Sequence, residues 1–537
     1  MRTDRNPERI VVAAMPAAPL SPAFNRKARA LYCCSEELPP GTRCSRAHII
    51  PYGDRIMASA NRPRPNVLVI LTDDQGGWTL GCAGNVECRT PNLDRLATTG
   101  LRFENFFCAS PVCSPARASL LTGRIPSQHG VHDWIRAGDT TAAYEKERDG
   151  ELIEYLAGQT SYTALLAAAD YTCGLSGKWH LGDSHHPQQG FSYWNVHAKG
   201  GGPYYHAPMV DGDEVYQEEG YVTDVITDHA LEFLEEQREA GAATPFYLGV
   251  HYTAPHSPWG RDQHPTELWD DYHDNCPLQS APDGIAPPEW ATSLSIPVET
   301  PEKRRNHLSG YYAAVTAMDA NVGRLLDWLE AHGLRENTLV FFTSDNGMNM
   351  GHHGVYGKGN ATFPQNMFEE SVKVPALISL PGRVPQGSVN ADLLSHYDFM
   401  PTLLDYLGIE NPVADGLPGT SFAPLLRDEP LDARDSVVIC DEYGPVRMIR
   451  TRTWKYIHRY PYGPSELYDL ANDPGETRNL AGSAEHATTE KRLRKALGDW
   501  FLRYVDPRRD GTKEPVTGRG QLGRCGADGD GTHQYAP

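Results

Sequence analysis

Three short apolar runs constrain the fold of this chain more than any other feature. Asn66 to Thr72 (NVLVILT), Pro245 to His251 (PFYLGVH) and Leu339 to Thr343 (LVFFT) are nearly continuous in aliphatic and aromatic residues. A strand with one wet face alternates apolar and polar residues. An unbroken run instead suits a strand covered on both faces, as in a parallel sheet. Between the last two runs, Val315, Met318, Val322, Leu325, Leu326 and Leu329 recur at helical spacing, and Gly333 stands where that helix ends. A second helix fits Val225 to Gln237. Strands alternating with helices predict an α/β fold with a large, mainly parallel central sheet flanked by helices.

Beyond about residue 430 the texture changes. Val446 to Ile449 and Trp454 to His458 read as antiparallel strands, and Glu485 to Tyr504 as a helix, predicting a smaller C-terminal α+β domain with an antiparallel sheet. The expected organisation is a disordered or spurious N-terminal extension over 1–62, a catalytic α/β domain over 63–428, the small domain over 429–506 and a tail over 507–537. Met57, directly before the first strand, is an alternative start. The Gly-rich, charged tail is expected to be disordered. A formal net charge of −20 argues against a nucleic-acid partner, which needs a basic face. No apolar run is long enough for a membrane span. Neither start is followed by an export signal, so the expected location is the cytoplasm. The eleven cysteines are odd in number and lack a framework spacing, which favours reduced thiols. Cys82 and Cys88 are close together but have no CxxC partner.

The polar residues that follow the strands point to chemistry. The first run leads into Asp73-Asp74-Gln75, the second into Ala254-Pro255-His256-Ser257-Pro258, and the third into Ser344-Asp345-Asn346-Gly347. In parallel sheets, functional groups gather just past the carboxyl ends of strands. Asp73, Asp74, Asp345 and Asn346 are hard oxygen donors suited to Ca²⁺ or Mg²⁺. Either pair alone reads equally well as an Asp, Asp73 or Asp345, that caps the following helix or turn. Arg117, Lys178, His180, His256 and Lys358 supply cationic and imidazole groups of the kind that hold an oxyanion. Lys178 sits in Gly177-Lys178-Trp179-His180-Leu181-Gly182, whose glycines and Trp restrict the loop. His352 and His353 read as structural.

The decisive segment is Cys113-Ser114-Pro115-Ala116-Arg117, followed by Leu121-Thr122-Gly123-Arg124. Cys-x-Pro-x-Arg with a Gly ten residues after the Cys resembles the signature of the type I sulfatases of the alkaline phosphatase superfamily. The other motifs follow in that family's order. Asp73-Asp74 resembles its first metal pair and Asp345-Asn346 its second. Lys178 and His180 match its Gly-Lys-Trp-His-x-Gly segment, His256 its Pro-His-x-Pro segment, and Lys358 the lysine after the second metal pair. Glu466 to Leu470, Asp473 to Glu476 and Asn479-Leu480 resemble its C-terminal signature. The likeness runs from about Pro65 to Leu502. One departure follows Gly357-Lys358, where Gly359 to Asn366 intervene before Met367-Phe368-Glu369.

The resemblance implies an alkaline phosphatase-like fold and a sulfuric ester hydrolase. It implies that a maturation enzyme oxidises Cys113 to formylglycine (3-oxoalanine), and that calcium, or magnesium in its place, is the metal. A formylglycine hydrate carries two hydroxyls on one carbon: one attacks sulfur, and the other later expels sulfate, so the covalent intermediate clears itself. In this scheme Arg117 supports the hydrate and the metal carboxylates, and Lys178 and Lys358 contact sulfate. His256 is the acid for the leaving oxygen and His180 the base that regenerates the aldehyde. Tyr204, Tyr205, Trp194 and Trp259, with the Gly-rich strip His197 to His206, tilt the expected substrate toward a sulfated carbohydrate over a simple aryl or choline-type sulfate. Rival readings are a formylglycine-dependent phosphonate monoester or phosphodiester hydrolase, an inactive binding homologue, and a protein in which Cys113 acts as an ordinary thiolate.

Overall fold

The computed structural model describes residues 64–141, 150–241, 244–294, 296–443, 445–461, 463–529 and 534–536. The segment 1–62, with Cys33, Cys34, Cys44 and Met57, lies outside the described residues. Ten strands form one mixed sheet: β1 (Asn66–Thr72), β2 (Leu101–Phe103), β3 (Thr172–Lys178), β4 (Tyr193–His197), β5 (Ala207–Asp211), β6 (Glu214–Glu218), β7 (Phe246–His251), β8 (Thr338–Ser344), β9 (Ala376–Ser379) and β10 (Ser388–Asn390). Their order is β10-β2-β9-β8-β1-β7-β3-β4-β5-β6. The central strands β8, β1, β7, β3 and β4 run parallel. Antiparallel pairing begins at β9 on one side and β5 on the other.

The apolar runs form strands because both sheet faces are covered. Successive side chains alternate across a strand. Val67, Val69 and Leu71 therefore enter one core, with Ala118 and Leu121 of α1 (Cys113–Thr122). Leu68 and Ile70 enter the other, with Ile226 and Phe233 of α2 (Val222–Ala240) and Val315 and Leu325 of α3 (Pro301–Ala331). Helix α3 begins well before Val315, the first position of the apolar period. Leu308 to Val315 are all buried, so that stretch has no polar stripe to reveal its period. Its start is marked by Thr300, whose hydroxyl accepts from the Lys303 N–H at 3.1 Å, and by Pro301.

The C-terminal sheet is antiparallel and runs β11 (Ser436–Asp441), β12 (Val446–Thr451), β13 (Trp454–Arg459), β14 (Glu466–Asp469). Leu493, Leu497 and Phe501 of α4 (Ala487–Tyr504) pack on Val438, Ile449, Tyr456 and Leu467. The expectation of a disordered tail is corrected. The described residues after Asp506 return to the segment 127–137, where Gln521 is fully buried and bridges Ile135. Hydrogen bonding to the 127–137 backbone holds much of this segment, and its few apolar contacts, such as Leu522 and Ala536 against Ala137, show no periodic run, so its composition does not reveal it. The described cysteines are free thiols, Cys82 and Cys88 among them. Among the described residues no helix is long and apolar enough to cross a membrane.

Candidate active site

The register of the parallel strands assembles the site. Thr72 lies beside Ser344, and His251 lies beside both Leu71 and Gly177. The residues that follow these strands therefore emerge together at one edge. The Asp73 N–H donates to the Ala254 carbonyl at 3.1 Å, and the Asp345 N–H donates to the Thr72 carbonyl at 3.0 Å. Asp74 (φ 64°) and His180 (φ 55°) adopt left-handed backbone, a conformation uncommon for residues with a Cβ though less so for Asp and His.

Arg117 lies on α1 one turn beyond Cys113 and is buried. Its Nε and Nη2 stand 2.9 and 2.8 Å from Asp345 Oδ2, and its Nη1 donates to the Lys178 carbonyl at 3.1 Å. Asp345 Oδ1 accepts the backbone N–H groups of Asp74 and Asn346, at 3.2 and 2.8 Å. Lys178 Nζ lies 2.5 Å from Asp73 Oδ2, and Lys358 Nζ donates to Asp74 Oδ1 at 2.6 Å. The Asn346 amide donates to that same Asp74 oxygen at 2.8 Å. His256 Nε2 stands 3.7 Å from Asp74 Oδ2, and its Nδ1–H donates to the Ser257 carbonyl at 2.7 Å.

Burial and charge compete here, and charge wins at the carboxylates. Burial raises the Asp73 carboxyl, but Lys178 and then His256 outweigh it and hold it below its ordinary pKa. Asp74 is likewise held down by Lys358 and His256 against its burial. Burial would lower Lys358, yet Asp74 keeps its ammonium well above the usual value. Burial pushes the Cys113 thiol up despite Lys178 and Lys358, which makes it a poor thiolate nucleophile. His180 is driven well below the ordinary imidazole value by burial and then by Lys178. Its Nε2 donates to the Ile135 carbonyl at 2.9 Å, which leaves Nδ1 buried without a hydrogen-bond partner.

The donor set fits a hard divalent cation. Asp73 Oδ1 and Asn346 Oδ1 are buried oxygens without a hydrogen-bond partner, beside the carboxylates of Asp74 and Asp345. One ligand atom each from Asp73, Asp74 and His256 lie within 4.8 Å of one another. Oxygen-rich sites of this kind select Ca²⁺ or Mg²⁺ over softer metals.

Cys113, His180, His256 and Lys358 open on one cavity of ≈ 580 Å³. Residues 65–409 match the Sulfatase family, and residues 351–501 match the N-sulphoglucosamine sulphohydrolase C-terminal family. The chain belongs to the sulfatase family. Membership makes it a sulfuric ester hydrolase of the alkaline phosphatase superfamily. This sulfatase is 29% identical to an N-acetylglucosamine-6-O-sulfatase of Bacteroides thetaiotaomicron, over 88% of this chain and 93% of that one. It is 32% identical to an ulvan-active sulfatase of Formosa agariphila, over 80% of each. A solved structure, described as in complex with its substrate D-glucosamine-2-N,6-O-disulfate, superposes with a TM-score of 0.66 at 27% identity, covering 84% of this chain and all of that one. A phosphonate monoester hydrolase of Agrobacterium radiobacter superposes equally well, at 0.66, with 23% identity over 82% of this chain and 96% of that one, and shows the fold alone.

All ten residues singled out from the sulfatase motifs meet at this edge. The long segment after Lys358 does not displace that lysine, because the Asn366 amide donates to the carbonyls of Lys358 and Gly359, at 3.1 and 3.0 Å, and closes the loop. The aromatic residues expected to stack on a sugar do not line the cavity. Tyr204 is buried with its hydroxyl donating to the His256 carbonyl at 2.8 Å, and Trp259 is buried with its indole N–H donating to the Pro255 carbonyl at 2.8 Å. Trp194 packs edge-on against Trp179, and Tyr205 packs against Tyr221. The cavity's indole is Trp134, with Arg136, Asp139, Lys199 and Asn360 also on the wall. Lys199 and Asn360 lie in the Gly-rich strip and in the inserted segment after Lys358 that the sequence singles out; Trp134, Arg136 and Asp139 were missed. The triple glycine after Lys199 was the available signal: a Cβ at Gly200 would stand 2.1 Å from the His180 ring, so the strip crosses directly over that imidazole. His352 packs on Trp78 and His353 on Phe368, and neither lines the cavity.

Proposed function

We propose that this sulfatase hydrolyses a sulfate monoester of a sulfated carbohydrate, with a formylglycine made from Cys113 and a divalent cation held by Asp73, Asp74, Asp345 and Asn346. One observation carries the reading: Cys113, at the first turn of α1, shares its cavity with His180, His256 and Lys358, directly beside the acidic cluster. The carbohydrate assignment is supported by the substrates named for its relatives, an N-acetylglucosamine 6-O-sulfate and ulvan among them.

The formylglycine hydrate would supply two hydroxyls on one carbon, and the bound cation would lower the pKa of a hydrate oxygen and offset charge on the sulfate. The protein's own groups do the rest. The amino terminus of α1 and the ammonium groups of Lys178 and Lys358 attract the anionic ester. Arg117 locks Asp345 and the Lys178 carbonyl into one frame. His256 Nδ1–H is committed to the Ser257 carbonyl, so Nε2 is the atom that delivers a proton to the leaving oxygen. His180 carries its proton on Nε2, so Nδ1 is the lone pair that takes a proton when the aldehyde is regenerated.

The reading is tested by mass spectrometry of the tryptic peptide from Phe103 to Arg117, on protein from its native host, together with rates on a 6-sulfated amino sugar, 4-nitrophenyl sulfate and a phosphate diester. An aldehyde mass at position 113 and highest kcat/KM on the sugar sulfate are expected. An unmodified thiol in active enzyme would overturn the formylglycine. Preference for the diester would favour the phosphonate or phosphodiester reading.

A further inference from the structure

The segment after Asp506 is tied to the active site by more than proximity. Gln521 and Ile135 form a parallel bridge: the Gln521 N–H donates to the Trp134 carbonyl at 2.7 Å, and the Arg136 N–H donates to the Gln521 carbonyl at 2.9 Å. In an extended strip, one residue's own N–H and C=O face away from the side its neighbours pair on. Those of Ile135 accordingly face the catalytic side. Its N–H donates to the Ser114 hydroxyl at 3.0 Å, next to Cys113, and its carbonyl accepts from His180 Nε2 at 2.9 Å.

The Gln521 side chain is itself fully fixed. Its Oε1 accepts from the His132 and Asp133 N–H groups at 2.8 and 3.3 Å. Its Nε2 donates to the carbonyls of Gly130 and Gly523 at 3.0 and 2.9 Å. Tyr535 adds its hydroxyl at 2.9 Å from His132 Nδ1, and the Trp134 indole donates to the Gly518 carbonyl at 3.2 Å.

We infer that Gln521 is a positioning residue: its side chain, bonded to the backbone of Gly130, His132 and Asp133, holds the Trp134-Ile135-Arg136 strip in place, and with it the carbonyl that selects the tautomer and orientation of His180. A C-terminal strap thus sets the base of a site built otherwise from the first 360 or so residues. The inference rests on the reading of His180 as the base that regenerates the aldehyde.

A double-mutant cycle tests it, run on the full chain with an activated aryl sulfate so that aldehyde regeneration limits turnover. Gln521→Ala is expected to lower kcat by about tenfold, a part of the ~10²–10⁴ that a positioned base supplies, with KM falling in proportion and kcat/KM little changed, because only the step after the covalent intermediate is slowed. On a His180→Ala background the same substitution is expected to change kcat by less than about twofold, because the group it positions is gone. Equal factors on both backgrounds, or an unchanged kcat in Gln521→Ala, overturn the inference. If Gln521→Ala does not fold, Tyr535→Phe removes a single hydroxyl from the strap. A smaller fall in kcat that also vanishes on the His180→Ala background supports the inference, and one that persists there overturns it. Full activity in His180→Ala sinks the base assignment itself, which separates that failure from failure of the strap.

Discussion

The guanidinium of Arg117 joins three parts of the site at once: α1, the Asp345 carboxylate and the end of β3. A lysine has one compact charge and cannot reproduce that fork. Arg117→Lys is expected to cost about 10- to 100-fold in metal affinity or activity, the usual range when a group orienting metal ligands is lost. Calorimetric metal titration and kcat/KM check it, and a variant matching the parent in both would contradict the role. His180 gives a pH prediction. Its folded-state pKa is depressed, so the neutral, proton-accepting form persists as pH falls through the ordinary imidazole value near 6.5. The acidic limb of kcat assigned to His180, identified by its loss in His180→Gln, is expected to lie below that value. A midpoint at or above it would contradict the assignment. Most of these residues were legible because each type has few uses in such motifs. The cavity-wall residues Trp134 and Arg136 were not, since neither stands in a motif or a periodic run.

At the scale of elements, β3 shows how a strand is shaped to deliver one side chain. Its sequence, Thr172 to Lys178, contains Gly174 and Gly177 and lacks the apolar run that betrays β1, β7 and β8. Gly177 has φ +104°, and a Cβ there would lie 2.1 Å from the His251 carbonyl oxygen. The strand makes its close approach to β7 where only a hydrogen fits, and Lys178 then turns onto Asp73. Gly177→Ala is therefore expected to move the Lys178 ammonium and the carbonyl bound by Arg117. A misplacement of about 1 Å at a reacting centre costs on the order of 10²-fold in rate, so kcat/KM is expected to fall by about that factor. Steady-state kinetics on protein of unchanged far-ultraviolet circular dichroism checks it. Helix α1 was equally hard to read from periodicity: every residue from Cys113 to Thr122 is buried, so it has no polar face.

At the scale of the whole molecule, the C-terminal sheet braces the segment that carries Lys358. Lys455 on β13 is buried between Glu369 and Glu476, at 3.2 and 2.7 Å. Arg459 donates to the Gln365 carbonyl at 3.2 Å and pairs with Glu466 at 2.6 Å. Removing one partner of a buried ion pair leaves an uncompensated charge. Lys455→Met is thus expected to lower unfolding stability by about 3–5 kcal/mol. Denaturant unfolding measures this, and a loss within experimental error would show that Glu369 and Glu476 are neutralised some other way. The metal site gives a second global prediction. The orphaned oxygens of Asp73 and Asn346 mean that a cation binding the folded state stabilises the whole chain. At a concentration 100 times its Kd this amounts to about 2.7 kcal/mol. Chelation is expected to lower Tm, and calcium or magnesium added back is expected to restore it. The ion that restores both Tm and activity identifies the metal, and a Tm unmoved by chelation would contradict the site.

The sequence by itself determined the chemistry and the middle of the sheet. A nucleophile motif, an Asp-Asp and an Asp-Asn pair, two lysines and two histidines are each local words, and three nearly continuous apolar runs, short and rich in β-branched and aromatic residues, suit strands covered on both faces. Tertiary structure alone decided which aromatic rings face the substrate cavity, how far α3 extends, and that the tail is a strap. The physical reason is common to all three. Tyr204 and Trp259 are buried by residues distant in the chain, the first half of α3 is covered on every side, and Gln521 satisfies backbone groups some 390 residues away. None of these leaves a local period, because their partners are set by how the chain folds back on itself.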